Sequence, residues 1–160
     1  MNPLVFDTFT LERLLDASPA RVYETLSVPE VKARWFAGPR EAWVEESRTM
    51  DFRVGGKERV AGRHQGGLTS LFDAQYLDIV PGERVVYVYD MHVNGRKIST
   101  SLATFEVLPE GAKTRLRLTE QGVYYFDPDG KATYAPDGPE VSRRRGTEGL
   151  MDQIAALFTR

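Results

Sequence analysis

The glycine-rich segment DFRVGGKERVAGRHQGG, residues 51–67, has the residue types of a phosphate-binding loop. Such a loop needs a fixed spacing between its glycines and a Ser or Thr directly after the lysine, so that the hydroxyl reaches magnesium. Here Glu58 follows the lysine, and strand patterns on both sides also exclude the dinucleotide-binding turn. We therefore predict a structural role for all the glycines, with Gly55 and Gly56 in a hairpin turn and Gly62 at a bend.

Histidines and nucleophiles give little support for catalysis. The chain has two histidines, His64 and His92, and no cysteine, so thiolate nucleophiles and zinc–thiolate sites are excluded. The two histidines lie in different predicted strands without metal-site spacing, and no Gly-x-Ser-x-Gly turn occurs. The sequence therefore predicts no catalytic residue, no metal site and no cofactor. A two-histidine site would require the fold to bring both side chains together.

Glu120 is the acidic residue that departs most from the pattern around it. It continues the side of a predicted strand that carries Leu116 and Leu118, which should face the core. A buried carboxylate needs a partner, because leaving it unpaired is costly. Two positions remain open: a solvated strand end, which is the more common case, or an inner position as a ligand anchor or base. The candidate partners are Arg53, Arg59 and His64.

Aromatic side chains concentrate on the presumed inner faces of the strands. Tyrosine places a hydroxyl in an apolar wall, which suits a pocket that binds by shape and orients its ligand through a few hydrogen bonds. Ordinary core packing is the alternative for each residue taken alone. The predicted ligand-binding residues are Trp35, Phe36, Phe52, Phe72, Tyr76, Tyr87, Tyr89, Met91, Phe105, Leu118, Glu120, Tyr125, Met151 and Ile154.

Composition limits the partners of the chain. Its 160 residues suit a single domain spanning residues 1–160, with 41% hydrophobic residues and a net charge of −2. The near balance of charges lacks the one-sided basic field of a nucleic-acid binder. The run Arg143-Arg144-Arg145 is assigned to the solvated face at the start of the last helix, with an anion or partner contact as the alternative.

Targeting and membrane signals are not found in the sequence. No apolar stretch approaches the ~18 residues of a membrane span. The N-terminal segment lacks a basic region followed by an apolar one, as a secretory signal would have. We therefore expect a cytoplasmic protein without membrane insertion.

The elements that must position these residues follow from periodicity and end signals. Residues 5–15 alternate as a strand, and Ser18 followed by Pro19 predicts a helix start. Pro29 opens a second short helix. Residues 42–125 are mostly of period two, with Asn94-Gly95 as the strongest hairpin signal. The predicted strands there are AWVEES, MDFRV, ERVAGRH, LTSLFDAQYLDIV, RVVYVYDM, KISTSLATFEVL and TRLRLTEQGVYY.

The last segment, residues 140–159, is predicted to be one helix that covers the sheet. The residues assigned to its apolar face are Val141, Leu150, Met151, Ile154, Leu157 and Phe158. Strands joined by short links imply an antiparallel meander with one face to cover. The fold class is thus α+β: a curved antiparallel sheet of about seven strands around a long C-terminal helix, with two short helices after the first strand.

Several segments resemble a known family. The tract from residue 101 to 127, with TFEV followed by TRLRLTEQG, resembles bacterial proteins of the SRPBCC (START-like, Bet v-like) superfamily. The resemblance is to the branch similar to the C-terminal domain of the activator of the Hsp90 ATPase. The segments ASPARVYETLSVPEVKARWFAGP, DFRVGGKER and EGLMDQIAALF fit the same family. It implies a helix-grip fold with a cavity between sheet and helix.

The family resemblance implies no single activity, so three functions are weighed. The first is binding of a small apolar or amphipathic ligand in the cavity. The second is an Hsp90 co-chaperone-like interaction domain with a chaperone contact, and a homodimer is also compatible with the sequence. The third is a cyclase- or hydrolase-type enzyme in the cavity, against which the lack of a convergent acid–base set argues.

Overall fold

The computed structural model describes residues 4–127, 129–132 and 134–159. Within these ranges the chain forms an α+β helix-grip fold, as the sequence predicts. The elements in chain order are β1 (Leu4–Leu15), α1 (Pro19–Ser27), α2 (Pro29–Trp35), β2 (Trp43–Met50), β3 (Lys57–His64), β4 (Thr69–Val80), β5 (Arg84–Val93), β6 (Arg96–Glu110), β7 (Lys113–Tyr125) and α3 (Pro139–Ala156). No helix in these ranges is long and apolar enough to cross a membrane.

The seven strands form one antiparallel sheet in the order β1-β7-β6-β5-β4-β3-β2. Strands β2 to β7 follow one another as a meander, and β1 pairs with β7 over its whole length. Register shifts interrupt the β2–β3, β4–β5 and β5–β6 pairs. Because such bulges bend a strand and increase its twist, they account for the curvature that gives the sheet an inner face.

The turns follow the predicted glycine chemistry. Asn94 and Gly95 both have positive φ, 51° and 76°, in the tight hairpin between β5 and β6. The glycine-rich segment likewise forms a turn, in which Gly55 N–H donates to the Tyr76 carbonyl at 2.8 Å. The predicted strand MDFRV is wrong, because β2 ends at Met50 and residues 51–56 connect it to β3.

The two short helices begin as predicted and are fastened to each other. The Ser18 hydroxyl accepts a hydrogen bond from the Arg21 N–H at 3.3 Å, which caps α1 before Pro19. The indole N–H of Trp35 in α2 donates to the Thr25 carbonyl in α1 at 2.8 Å. The pair therefore packs as one unit against the sheet.

Helix α3 lies along the edge of the sheet formed by β1. Arg13 of β1 donates to Asp152 at 3.0 Å, and the Arg144 guanidinium lies 5.8 Å from the centre of the Phe9 ring. The predicted apolar face is confirmed at Met151 and Ile154, which are buried. The assignment of Val141 to that face is wrong, since its side chain is 40% exposed.

The core lies between the inner sheet face and the helices. Its larger members are Phe9, Leu11, Leu15, Val22, Leu26, Trp35, Phe72, Tyr76, Tyr87, Tyr89, Phe105, Leu116, Leu118, Met151 and Ile154. Within the described ranges, eight polar or charged residues are buried with them, among them Lys32, Glu58 and Glu120. A core of this mixed character demands a partner for every buried charge.

Gly62 lies opposite the register shift between Glu45 and Ser47, which agrees with the predicted bend, and it also lies against the indole of Trp43. A Cβ atom added at Gly62 would lie 2.0 Å from the indole nitrogen. Gly146 on the exposed side of α3 differs, because a Cβ there meets nothing within 4 Å. The two glycines therefore have opposite tolerance for a methyl group.

We predict that Gly62→Ala lowers the free energy of unfolding by about 1–3 kcal/mol, because Trp43 must move out of a packed position. Gly146→Ala should raise it by about 0.5–1 kcal/mol, since alanine favours the helix. Urea unfolding followed by circular dichroism measures both changes. Equal effects of the two substitutions would contradict the indole contact.

Candidate functional site

Arg143 is the long side chain through which α3 reaches the middle of the sheet. Its side chain is 11% exposed and points at strands β5 and β6. The guanidinium donates to Ser99 Oγ at 2.6 Å, to Tyr89 Oη at 2.9 Å and to Ser101 Oγ at 3.2 Å. Three neutral oxygens thus hold the cation under the helix.

Glu120 lies beside this cation, on the inner face of β7, and is 3% exposed. Its Oε1 accepts a hydrogen bond from the Tyr89 hydroxyl at 2.6 Å, and its Oε2 lies 3.8 Å from Arg143 Nη1. Burial raises the pKa of Glu120, and the positive charge of Arg143 acts against that shift. Oε2 accepts no hydrogen bond from the residues that the structure describes.

The solvated strand end expected for Glu120 is therefore wrong, and so are the expected partners. Each of those three residues has another neighbour: Arg53 donates to Asp51, Arg59 lies 3.6 Å from Asp73, and His64 bonds Ser70.

The arginine run divides in the structure. Arg144 and Arg145 are exposed, as predicted for a solvated face, with Arg144 paired to Glu148 in the same helix. The prediction is wrong for Arg143. Counting along the helix could have found it, because residues 143, 147, 151 and 154 share one side and the last three are buried.

A second buried ion pair lies at the other end of the interior. Lys32 Nζ of α2 is 2.6 Å from Glu58 Oε1 of β3, and the Tyr76 hydroxyl donates to the same oxygen. The ammonium also lies 4.9 Å from the Phe36 ring centre and 5.5 Å from that of Tyr87. Both charged side chains are at most 4% exposed.

Sequence reasoning named Tyr76 but missed Lys32 and Glu58. Two signals were present: Glu58 alternates with Val60 on β3, and Lys32 precedes Trp35 by one helical turn. Charged residues in such positions are usually assigned to the solvent-exposed face, and for this reason the buried Lys32–Glu58 pair was not predicted.

Three tyrosines connect the two charged clusters across the sheet. Tyr87 lies between Tyr76 and Tyr89, with ring centres 6.1 Å and 5.9 Å away. Burial raises the pKa of Tyr87, and Tyr89, Glu120 and Glu58 raise it further. Tyr87 is thus placed near both buried carboxylates.

Most residues of the predicted ligand-binding set come together on this inner surface. Ring contacts join Trp35, Phe36, Phe72, Tyr76, Tyr87, Tyr89 and Phe105, and Phe52 packs on Tyr76 at 5.0 Å. Leu118, Met151 and Ile154 are buried in the same core, and Met91 packs against it. These positions show a shared face, while ligand binding by them stays a prediction.

Tyr125 is the member that the structure places elsewhere. It lies on the outer face of β7, where its hydroxyl bonds Thr100 at 3.2 Å. Its neighbour Tyr124 takes the inner place, with the Arg143 guanidinium 5.4 Å from its ring centre. The alternation of β7 decides between the two tyrosines.

Two surface depressions lie away from this interior. One of about 530 Å³ is on the outer sheet face, where Val88, Leu102 and Val123 contribute to its lining. One of about 470 Å³ is at the turn between β2 and β3. The space between α3 and the sheet holds the aromatic rings and the Arg143 cluster, so a ligand there would have to share or displace them.

The histidines do not join a common site. His64 bonds Ser70, and His92 lies opposite Leu71 in the β4–β5 pair. Among the described residues, no group of three or more His, Cys, Asp or Glu could hold a metal ion.

Comparison with protein families decides the relationship of the chain. The model of the Activator of Hsp90 ATPase homolog 1-like protein family matches residues 16–159. The chain belongs to this family. Its members share the SRPBCC-type fold, and the resemblance seen in the sequence is therefore confirmed.

Solved structures agree with this family assignment. An uncharacterized protein from Rhizobium leguminosarum is 35% identical, with a TM-score of 0.86 over 99% of this chain and 97% of that one. A protein from Rhizobium loti is 36% identical, with a TM-score of 0.81 over 96% and 98%. A protein of unknown function from Staphylococcus aureus, 17% identical, shares the fold with a TM-score of 0.73 over 98% and 94%. No curated protein matches the chain.

We predict that Lys32→Met lowers the free energy of unfolding by about 3–5 kcal/mol, because it leaves the Glu58 carboxylate buried without a cation. Adding Glu58→Gln should recover a large part of the loss. Arg84→Met is the matched control, since the Arg84–Asp78 pair is about half exposed and should contribute less than about 1 kcal/mol. Urea unfolding of the four proteins measures this, and no recovery in the double variant would contradict the pair.

The raised pKa of Glu120 predicts a pH-dependent stability. The folded protein binds this proton more readily than the unfolded chain, so stability falls as the pH rises above the ordinary value of 4.5. Glu120→Gln removes that loss. The Tm of Glu120→Gln minus that of the unsubstituted protein should therefore become more positive as the pH rises from 4.5.

Glu12 supplies a control of opposite sign. The hydrogen bond from Arg117 lowers the pKa of Glu12, so this carboxylate stabilises the fold once ionised. The Tm of Glu12→Gln minus that of the unsubstituted protein should therefore become more negative as the pH rises toward 4.5 from below, and change little above it. If the Tm difference between variant and unsubstituted protein falls with rising pH for both Glu120→Gln and Glu12→Gln, the burial of the Glu120 charge is contradicted.

Proposed function

We propose that this family member binds a small amphipathic molecule between its sheet and α3. The observation that carries the proposal is the buried Arg143–Glu120–Tyr89 cluster, set in an aromatic wall with an unpartnered carboxylate oxygen among the described residues. Buried acceptors without a partner often mark functional sites. Glu58 also has such an oxygen, but its cation is in direct contact at 2.6 Å, whereas the cation of Glu120 stays 3.8 Å away. A ligand that reaches the cluster would supply the missing partner.

The contacts of α3 with the sheet favour space for a ligand between α3 and strands β5 and β6. The helix meets β1 closely through Asp152 and Arg144, but it meets β5 and β6 through the extended Arg143 side chain. A long side chain is needed where the helix backbone stands away from the sheet. Movement of this one side chain would therefore open room without separating α3 from β1.

The wall of the site suits an amphipathic ligand. The rings of Phe72, Tyr87 and Tyr89 offer apolar surface, and two of the three carry a hydroxyl. Pockets of this composition bind by shape and fix orientation with few polar groups. The ligand would place its apolar part on the rings and its polar part at Arg143.

A chaperone contact is the second candidate, and the description of the matching family favours it. In that case the charged interior serves only to hold the fold, and the functional surface is an exposed face. Ligand binding and chaperone stimulation are separate measurements, so one series of variants tests both.

We predict that the neutral fluorescent dye Nile red binds the protein and that Ala103→Leu weakens this binding about tenfold or more, by filling the inner face. Ala103 is fully buried between Tyr87 and Glu120 in the sheet register. Leu102→Gln is the matched control on the outer face, and it should change the dissociation constant less than about twofold.

Two outcomes would contradict the interior site. Weaker dye binding in Leu102→Gln, with no change in Ala103→Leu, would move the site to the outer depression. A protein that binds no dye but stimulates ATP hydrolysis by a bacterial Hsp90 would favour the chaperone candidate. Thermal unfolding of each variant shows whether it is folded.

A further inference from the structure

The Arg143 cluster is built to take an anion. The guanidinium makes its hydrogen bonds to Ser99, Ser101 and Tyr89, which carry no charge. Its one close carboxylate, Glu120, stays 3.8 Å away, outside hydrogen-bond distance. The paired fork that arginine forms with a carboxylate is therefore unused.

The charges around the cluster limit the anion to a single negative charge. The charge of Asp7 on β1 raises the pKa of Glu120, and the charges of Asp7 and of Glu140 on α3 raise the pKa of Tyr124. Arg143 is the cation that faces these groups in the described part of the chain. The negative charges near Glu120 and Tyr124 would repel a dianion such as a phosphate monoester, whereas one carboxylate adds a single charge.

Aromatic rings flank the cation on both sides. The guanidinium lies 5.3 Å from the ring centre of Tyr89 and 5.4 Å from that of Tyr124. Phe72 continues the surface, 4.8 Å from Tyr89. An aromatic group attached to the carboxylate would lie on this wall while its charge meets Arg143.

Glu120 can lose its charge without losing its place. Its Oε1 would still accept from the Tyr89 hydroxyl, and a protonated Oε2 would become a donor. Burial already raises the pKa of Glu120, and Asp7 adds to the effect of burial. A second carboxylate at Arg143 would favour the neutral form further, because like charges disfavour ionisation.

From this geometry we infer that the ligand of the proposed interior site is an aromatic monocarboxylate held by Arg143, and that Glu120 takes up one proton from solvent when it binds. This inference rests on the proposed interior site. The monocarboxylate inference goes further than the proposed interior site, because it requires a negative charge on the ligand and the uptake of a proton by Glu120 on binding.

A matched pair of probes tests the charge. Binding of 2-naphthylacetate and of 2-(2-naphthyl)ethanol is measured by isothermal titration calorimetry at pH 6 and pH 8. We expect the acid to bind about tenfold or more tightly than the alcohol at pH 6. Because the acid is ionised throughout this range, proton uptake by Glu120 should weaken its binding by up to about tenfold per pH unit as the pH rises.

Variants assign the effects to residues. Arg143→Gln should abolish the preference for the acid and keep binding of the alcohol, and Arg144→Gln, an exposed neighbour, should leave both unchanged. Titration in buffers of different ionisation enthalpy should show uptake of about one proton with the acid. Glu120→Gln should remove this uptake and keep tight acid binding at pH 8.

The outcomes separate the two levels of the proposal. Equal binding of acid and alcohol overturns the monocarboxylate inference and leaves the interior site standing, and failure of both probes to bind counts against both. A preference for the acid without proton uptake overturns the role of Glu120. If Arg143→Gln does not fold, Arg143→Lys replaces it, because lysine lacks the guanidinium fork. If that variant prefers the acid as strongly as the unsubstituted protein does, the role of Arg143 is overturned.

Discussion

A carboxylate buried in a protein interior must meet a cation or hydrogen-bond donors, because an uncompensated charge costs several kcal/mol. Among the residues that the structure describes, two such groups, Glu58 and Glu120, are buried on the inner face of one sheet. Each meets a cation carried by a different helix, Lys32 from α2 and Arg143 from α3. The positions of both helices over the sheet are therefore tied to electrostatic pairing as well as to apolar contact.

Both carboxylates keep one buried oxygen without a hydrogen bond from the described residues, but the two pairs differ in the distance between cation and carboxylate, 2.6 Å at Glu58 and 3.8 Å at Glu120. Lys32 lies in direct contact with Glu58 and is surrounded by aromatic rings, as expected of a structural pair. Arg143 keeps its carboxylate at a distance and gives its hydrogen bonds to hydroxyl groups. A protein at 17% identity shares the fold, and a fold by itself does not specify an activity. The proposed ligand site is therefore the Arg143 side of the interior.

Much of the fold could be predicted from local patterns. Alternation along the strands, the Asn94-Gly95 turn and the proline-led starts of α1 and α2 each depend on neighbouring residues only. The errors arose where contacts between distant elements override the local pattern. Residues 51–56 turn to pair with β4, and the Trp43 indole excludes a side chain at Gly62 in addition to the predicted bend. Neither contact leaves a mark in the residues next to it.

By itself, the sequence determined most of the strands and their faces, the covering helix and an aromatic inner surface, because the period of apolar residues assigns each side chain to a face. Only the tertiary structure decided which charged residues are buried and which residues they contact. Lys32 and Glu58 are 26 residues apart, and Arg143 reaches Ser99 from 44 residues away. Such pairs depend on how the sheet curves and where the helices lie across it, which no local period records.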